Sequence, residues 1–490
     1  MKEISRERLI NTPFIREIWE VSQRTGIKVY LVGGGLRDMI MEREGYDLDF
    51  AVDGDALIFG RKVADAIGEH YFPLDEERST SRVIVKRDAI GGELDFSRLR
   101  GKGIEDDLRA RDFTINSMAI NLDDIFCGRE EIPLIDPLKG LDDLERGCIR
   151  SADHTLLIQD PLRMIRAVRL SATLNLSIGE ELREFIIMRS ESILSISIER
   201  IRDELFKILS VDRPHSYINE LKTLNLLTCI FPEIESMERI DEGLDHRYHL
   251  WQHSLNTLSC LEVILLNLQR FFPDNYQEVG SHLSKETEYQ IKRRELLKFT
   301  SLFHDIGRSF IRPFNPFEQV ERDEDIGVEL NTKISKRIRL GGLSRKVVRK
   351  ITLSHMRPIK ISRGKGVGEG DIYRYWRDTG EEGIETCILA IADAEAIRGA
   401  DHTDNDPIDI MGLGRQMISY YFEVFSDKAK PILSGRDLID KFGLIPGPLL
   451  GMILKKVEDA KGDGIITNRE DALMFIKKEL PFFGEKKSNV

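Results

Sequence analysis

Residues 25–55 constrain this 490-residue chain more than any other stretch. Ile27 to Val32 (IKVYLV) is rich in β-formers, Gly33-Gly34-Gly35 interrupts it, Leu36 to Arg43 is a helical run, and Tyr46 to Val52 (YDLDFAV) alternates. The pattern predicts strand, glycine turn, helix, strand, with Arg37 on the first turn of the helix. Residues two apart in a strand share a face, so Asp47 and Asp49 present paired carboxylates to one site. Two such charges repel unless a divalent cation sits between them. Mg²⁺ suits the pairing, because it takes hard oxygens from one or two carboxylates and from phosphates. Gly33, Gly34 and Gly35 let backbone amides come close to phosphate, and a helix N-terminus adds positive potential. Taken alone, an acidic pair reads as a solvated edge and a glycine run as a turn; their order within one unit carries the signal.

Further strands are expected at 82–86 (RVIVK) and 93–97 (ELDFS), and a helix near 112–120. From about residue 140 helical periodicity takes over, Pro232 closes one helical segment, and a last helical unit starts near 431. The polar stretches 271–290 and 311–325 read as loops. The fold class is α+β: an α/β head with a mixed sheet, then an all-helical remainder. No run of about 18 apolar residues exists, and the N-terminus is too charged for a secretory signal. Five cysteines form no CxxC pair, which fits a reduced, cytoplasmic protein with buried thiols. The net charge of −12 governs solubility, whereas a nucleic-acid groove needs only local positive charge. Lys333 to Lys350 holds eight basic residues and no acidic one, either a solvated helix face or such a groove.

Four blocks now stand in one order: LVGGGLRD with DLDF, then Arg111-Asp-Phe-Thr-Ile-Asn116, Asp160-Pro-Leu-Arg163-Met-Ile-Arg166-Ala-Val-Arg169, and Glu199-Arg-Ile-Arg-Asp-Glu204. Together they resemble the class II tRNA nucleotidyltransferase and bacterial poly(A) polymerase family, whose head has a polymerase-β-like mixed sheet. The tail PILSGRDLIDKFGLIPGPLLGMIL (431–454) is also similar to the C-terminal region of these enzymes. The resemblance implies that Asp47 and Asp49 hold Mg²⁺ and that Asp95, on the neighbouring strand, is a third catalytic carboxylate; Asp95 read by itself is equally a structural or surface group. It further implies that Gly33, Gly34, Arg37, Arg111, Asp112, Asn116, Asp160, Arg163, Arg166 and Arg169 contact the nucleotide. Arg111 suits phosphate and Asn116 the sugar.

Asp160 and Arg163 are three apart and, on a helix, would be neighbours. They are either a structural salt bridge or, by resemblance, a protein substitute for a templating base. A carboxylate accepts from the exocyclic amine of cytosine or adenine, whereas uracil and guanine offer a carbonyl there. That mismatch costs roughly 1–3 kcal/mol, so CTP and ATP are the expected substrates. Two departures from the family pattern are Gln159, where an acidic residue is usual, and Ala110 before Arg111. A third is the short connection SRLRGKGIEDDLRA between Asp95 and Arg111. CCA-adding members carry a long flexible loop there, and its shortening resembles the CC-adding branch.

In the C-terminal half, His253, His304-Asp305 and Asp393 sit in apolar helical contexts, where a lone histidine is ordinarily a core residue. Their order resembles HD phosphohydrolases, which implies a divalent transition metal or Mg²⁺ held by His253, His304, Asp305 and Asp393, with His355 as a further candidate. Where binuclear members carry another histidine, this chain has Asp323.

The expected organisation is a catalytic head at 1–145, a neck and body for base selection and RNA binding at 146–235, an HD metal-dependent phosphohydrolase-like domain at 236–405, and a tRNA-binding tail at 406–490. The expected activity is addition of C, and of A as an open question, from CTP or ATP to the 3′ acceptor end of tRNA, CC addition first. Alternatives are A addition or poly(A) synthesis, an HD-type phosphohydrolase with a nucleotide-binding head, and an inactive RNA-binding protein. No membrane partner is expected, and the oligomeric state is open.

Overall fold

A computed structural model describes residues 6–43, 45, 47–87, 90–128, 131–239, 249–310, 316–364, 367–398, 409–426 and 432–484, with backbone only at 87, 90, 316–323 and 481–484. The chain divides into two compact units, 1–208 with 217–230, and 209–216 with 231–490.

In the first unit six strands form one mixed sheet: β1 (Val29–Val32), β2 (Leu48–Val52), β3 (His70–Asp75), β4 (Thr80–Arg87), β5 (Ile90–Arg98) and β6 (Ala119–Asn121). Their spatial order is β3-β4-β5-β2-β1-β6. Only β2 and β5 run parallel; the other pairs are antiparallel. Helix α1 (Gly33–Ile40) links β1 to β2, and α2 (Ala56–Ile67) follows β2.

Register places two different rows across the sheet. Leu31, Phe50, Phe96 and Ser81 are cross-strand neighbours in one row; Val32, Asp49, Asp95 and Arg82 are neighbours in the next. Successive side chains point to opposite faces, so the first row is apolar core and the second carries charge on the other face. The core row is buried under α2: Phe50 stacks on Phe96 with ring centroids 5.2 Å apart, and Phe59 of α2 meets Phe96 edge-on. Beside the charged row, α3 (Ile104–Arg109) packs Leu108 against Val32, Ala51 and Ala119. Downstream, α4 (Leu162–Leu174) and α5 (Ile198–Ser210) carry the third and fourth sequence blocks.

The second unit is helical apart from a short pairing of 286–288 with 291–292. Its central helices are α6 (Leu250–Leu266), α7 (Arg293–Phe303), α8 (Pro316–Arg337), α9 (Gly342–Ser354) and α10 (Gly383–Arg398), and the tail is α11 (Gly435–Phe442), α12 (Pro448–Gly462) and α13 (Arg469–Gly484). No helix of the described residues is long and apolar enough to cross a membrane.

Several expectations need correction. The stretch 112–120 is a short 3₁₀ turn at Thr114–Asn116 leading into β6, not a helix. The stretch 271–290 contains a helix at Tyr276–Leu283, and 311–325 is helical from Pro316 (311–315 lie outside the described residues). The glycines start α1 rather than precede it, so Arg37 falls in its last turn. The thiols are not uniformly buried: Cys387 is, Cys127 is exposed, and the other three are half-buried. Within the basic run, Lys333 pairs with Glu329, Arg337 with Glu233 and Lys346 with Glu382, so part of its charge is neutralised locally.

Helix α7 is anchored by a buried amine. Lys298 is 1 % exposed and donates to the carbonyls of Leu209 (3.0 Å), in the last turn of α5, and Val211 (2.7 Å), just past it. Burial lowers its pKa from 10.5 to about 8. Between these values the unfolded chain binds more protons than the folded one, so this lysine makes stability rise with pH across that window. Lys298→Met leaves two buried carbonyls without a donor and is expected to destabilise by about 1–3 kcal/mol. Denaturant unfolding of the native protein at pH 7.5 and 9.5 should show a stability increment that the Met variant lacks.

Candidate functional sites

The head site is built where α1 meets the charged row. Gly33 has φ +69°, and a Cβ on it would lie 2.6 Å from Asp49 Oδ2 and 3.1 Å from Arg111 Nη1. A Cβ on Gly35 would lie 2.7 Å from the Asp47 carbonyl. Two glycines are therefore required by close approach of β2, the first also by backbone conformation. The Gly34 amide donates to Asp49 Oδ2 at 2.9 Å. Burial raises the pKa of Asp49; Arg111 opposes that and Asp95 adds to it.

Asp47 lies one residue before β2, not inside it, is exposed, and accepts from the Glu93 amide at 3.0 Å. Asp95 is directly opposite Asp49 in the parallel pair. Its two oxygens accept from Arg82 Nε and Nη2, both at 2.8 Å. The residues fit a hard cation: carboxylate oxygens, one of them half-buried and pushed toward protonation, beside a cradle that any side chain at Gly33 would fill.

Around this cradle the second and third blocks interlock. Arg37 Nη1 donates to Asn116 Oδ1 at 2.5 Å and its other nitrogens to Asp38. Asn116 Nδ2 reaches Asp112 Oδ1 at 3.4 Å, and Arg166 of α4 pairs with Asp112 Oδ2 at 2.8 Å. Burial pushes the Asp112 carboxyl up, but Arg166 and Asn116 outweigh it and hold the group below its ordinary value. Arg169 pairs with Glu204 of α5 at 2.7 Å. Arg111 is held by Asp107 at 3.0 Å, and Asp107, 1 % exposed, also binds Arg100. Asp160 and Arg163 do not share a helix: Asp160 precedes α4, accepts from the Leu162 amide and pairs with Arg200 at 2.8 Å, while Arg163 donates to the Leu156 carbonyl. Arg82, Asp107 and Arg200 escaped the sequence reading. For Arg82 a signal was present, since RVIVK and ELDFS are adjacent alternating strands and an arginine opposite an aspartate is the cross-strand pair they favour.

The second unit carries a separate cluster. His253 on α6, His304-Asp305 after α7 and Asp393 on α10 each offer one ligand atom within 4.8 Å of the others, and among the described residues no other such group occurs. His253 Nε2 is 2.8 Å from Asp393 Oδ1, and His304 Nε2 is 3.4 Å from both Asp305 Oδ2 and Asp393 Oδ1. All four residues are under 9 % exposed. His304 Nδ1 is 2.8 Å from the Ser301 carbonyl, which turns Nε2 toward the carboxylates. These buried atoms pair mainly with one another, and Asp305 Oδ2 also meets Arg308. Two imidazole nitrogens and two carboxylates converging at this spacing fit a cation between them. His355, following α9, places Nε2 3.1 Å from Asp305 Oδ1 and Nδ1 2.7 Å from the Thr352 carbonyl, so it meets the cluster through Asp305. Arg308 also reaches Asp305, at 3.1 Å. The side chain of Asp323 lies outside the described residues.

Comparison with known proteins agrees with these two centres. Residues 29–150 match the poly A polymerase head domain, 175–238 the probable RNA and SrmB-binding site of polymerase A, and 250–397 the HD domain. Head and helical body thus define a nucleotidyltransferase with an HD domain in its C-terminal half. An A-adding tRNA nucleotidyltransferase of Deinococcus radiodurans is 28% identical over 91% of this chain and 94% of its own. A CC-adding tRNA nucleotidyltransferase of Geobacter sulfurreducens is 35% identical over 45% of this chain and 50% of its own. The structure of a CCA-adding enzyme with ATP superposes with a TM-score of 0.65 at 19% identity, covering 100% of this chain and 99% of that one, and shares the fold. The chain belongs to the family of CCA-, CC- and A-adding tRNA nucleotidyltransferases.

Gly33→Ala tests the cradle. Its left-handed backbone and the 2.6 Å approach to Asp49 leave no room for a methyl group. We expect a stability loss of at least about 1 kcal/mol together with loss of nucleotide transfer, read by thermal unfolding and by incorporation. Gly45→Ala, which meets nothing within 4 Å, should leave both nearly unchanged.

Proposed function

We propose that this chain extends the 3′ end of tRNA with cytidine from CTP, adding two C residues and leaving the terminal A to another enzyme. The observation that carries this reading is the connection between β5 and Arg111. Where a CCA-adding enzyme needs a long movable loop, this chain has α3, whose Asp107 binds Arg100 on one side and Arg111 on the other. A segment pinned at both ends by a buried carboxylate is poorly suited to switching a pocket from C to A.

In this reading Asp47 and Asp49 hold Mg²⁺, with Asp95 as a nearby carboxylate. When bound, the ion supplies activation of the attacking 3′-hydroxyl and stabilisation of the leaving pyrophosphate. The chain's own residues orient the nucleotide: Arg37, Asp112, Asn116, Arg166 and Arg169 form one charge-linked wall, and Arg111 stands over Gly33 where a triphosphate would lie. Asp160 and Arg163, at the entry to α4, read the base edge. Asp160 then exchanges its contact with Arg200 for the exocyclic amine, and UTP or GTP is disfavoured by about ten- to a hundredfold.

A second reading, addition of the terminal A, is favoured by the Deinococcus relative, an A-adding enzyme similar over 94% of its length. For the HD domain we propose one divalent cation on His253, His304, Asp305 and Asp393, with phosphatase or 2′,3′-cyclic phosphodiesterase activity as a side function.

Three tRNA substrates, ending in the discriminator base, in C and in CC, each incubated with one nucleotide at a time, separate the readings. CTP should extend the first two, and ATP should fail on the third. Efficient ATP addition to the CC-ended substrate, without CTP use on the others, would establish A addition instead. Asp47→Asn and Asp49→Asn should each lower incorporation at least about a thousandfold, as expected for loss of a metal ligand, while hydrolysis of 2′,3′-cyclic nucleotides survives. If incorporation persisted in both variants, the head would not be the polymerase centre.

A further inference from the structure

The charged row holds a residue that the reading above does not use. β2 and β5 set Asp49 opposite Asp95, and β5 and β4 set Asp95 opposite Arg82. Neighbouring strands are about 4.8 Å apart, so two anions and one cation stand side by side on the face that meets the glycine turn. Arg82 Nε and Nη2 take both oxygens of Asp95 at 2.8 Å, and Nη1 takes Glu93 Oε2 at 2.5 Å. A guanidinium fixed at three nitrogens presents a fork whose plane matches one carboxylate, a geometry that a flexible ammonium does not reproduce. Asp95 is thereby turned along the sheet toward β4, while Asp49 faces the Gly34 amide on the side of β1.

The charge balance gives this clamp a purpose. Two carboxylates and one divalent cation sum to zero. A third carboxylate in the coordination shell would leave the loaded site negative and would repel a triphosphate, and it would hold the cation more tightly in the resting protein. A neutral Asp95–Arg82 pair avoids both effects.

We propose that Arg82 is a positioning residue that keeps Asp95 out of the cation's coordination shell, so that Asp47 and Asp49 are the only carboxylates of the head that ligate it. The inference rests on the reading of Asp47 and Asp49 as the metal pair. Freed from Arg82, Asp95 swings to the cation, the resting protein binds metal more tightly, and nucleotide transfer slows because the triphosphate meets a negative site.

The test is Mn²⁺ binding to the full-length protein without nucleotide, followed by the electron paramagnetic resonance signal of free Mn²⁺. The Asp47→Asn/Asp49→Asn variant removes the head site and leaves the helical one, so head binding is read as the difference. Arg82→Gln is expected to tighten head-site Mn²⁺ about tenfold, the scale of one added charge a few ångströms away. Arg82→Lys, which keeps the charge but not the fork and is the gentler change to the sheet, should tighten it less. Arg82→Gln/Asp95→Asn should return to the wild-type value, a reversal that a merely structural role for Arg82 would not produce. Unchanged or weaker Mn²⁺ binding in folded Arg82→Gln and Arg82→Lys, with a raised KM for CTP, would overturn the proposal and make Arg82 a triphosphate contact. If wild type and Asp47→Asn/Asp49→Asn bound Mn²⁺ alike, the metal reading of the head itself would fall.

Discussion

Asp49 is a half-buried carboxylate pressed against a glycine with a left-handed backbone, and that placement sets the terms for the rest of the head. Withdrawing a carboxylate from water is unfavourable unless charge or hydrogen bonds compensate. Here compensation comes from two sides, the Gly34 amide and Arg111 across the turn. Each places a demand on sequence. The amide can approach only because Gly33 and Gly35 lack side chains, and Arg111 can reach only because Asp107 orients it. The alternation that sends Asp49 to one face sends Phe50 to the other, where it stacks in the core under α2. Active face and core are thus two readings of one strand, which is why a slip of register by one residue would exchange them.

The helical unit solves a related problem with different chemistry. Four side chains from three helical segments converge at under 9 % exposure, and their imidazole and carboxylate atoms face one another. Mixed nitrogen and oxygen ligands suit borderline cations, whereas the head offers only hard oxygens. Lys298 meets a similar demand: a buried amine on α7 is tolerated because the carbonyls of Leu209 and Val211, at the end of α5, accept from it.

Much of this was legible before any coordinates. The strand–turn–helix–strand unit and the strands containing RVIVK and ELDFS follow from periodicity and residue chemistry, whereas the four-residue cluster came from the resemblance of its His, His-Asp, Asp order to HD phosphohydrolases. Two misreadings, 271–290 and 311–325, share one cause, which is that polar composition was taken for loop. α8 is a helix despite its polar composition, with Ile334 packed inward and the buried Asn331 donating its amide to the Phe303 carbonyl. The stretch 112–120 has helical spacing, but Asp112 and Asn116 are drawn into contacts with Arg166 and Arg37, and those tertiary pairs override the local preference. Asp160 looked like a helical neighbour of Arg163; the proline that follows it starts α4 afterwards and leaves Asp160 outside. A long-range pair such as Arg200 with Asp160, by contrast, is invisible to local pattern.

The central claim is that Asp47 and Asp49 hold a divalent cation against the phosphate being transferred. Incorporation of the two α-phosphorothioate diastereomers of CTP, in Mg²⁺ and then in Cd²⁺, tests it most directly. The account predicts that one diastereomer is used poorly in Mg²⁺ and recovers in Cd²⁺, because sulfur replaces the oxygen that meets the ion and the softer metal accepts it. Equal use of both diastereomers in Mg²⁺, or a defect that Cd²⁺ leaves untouched, would contradict it.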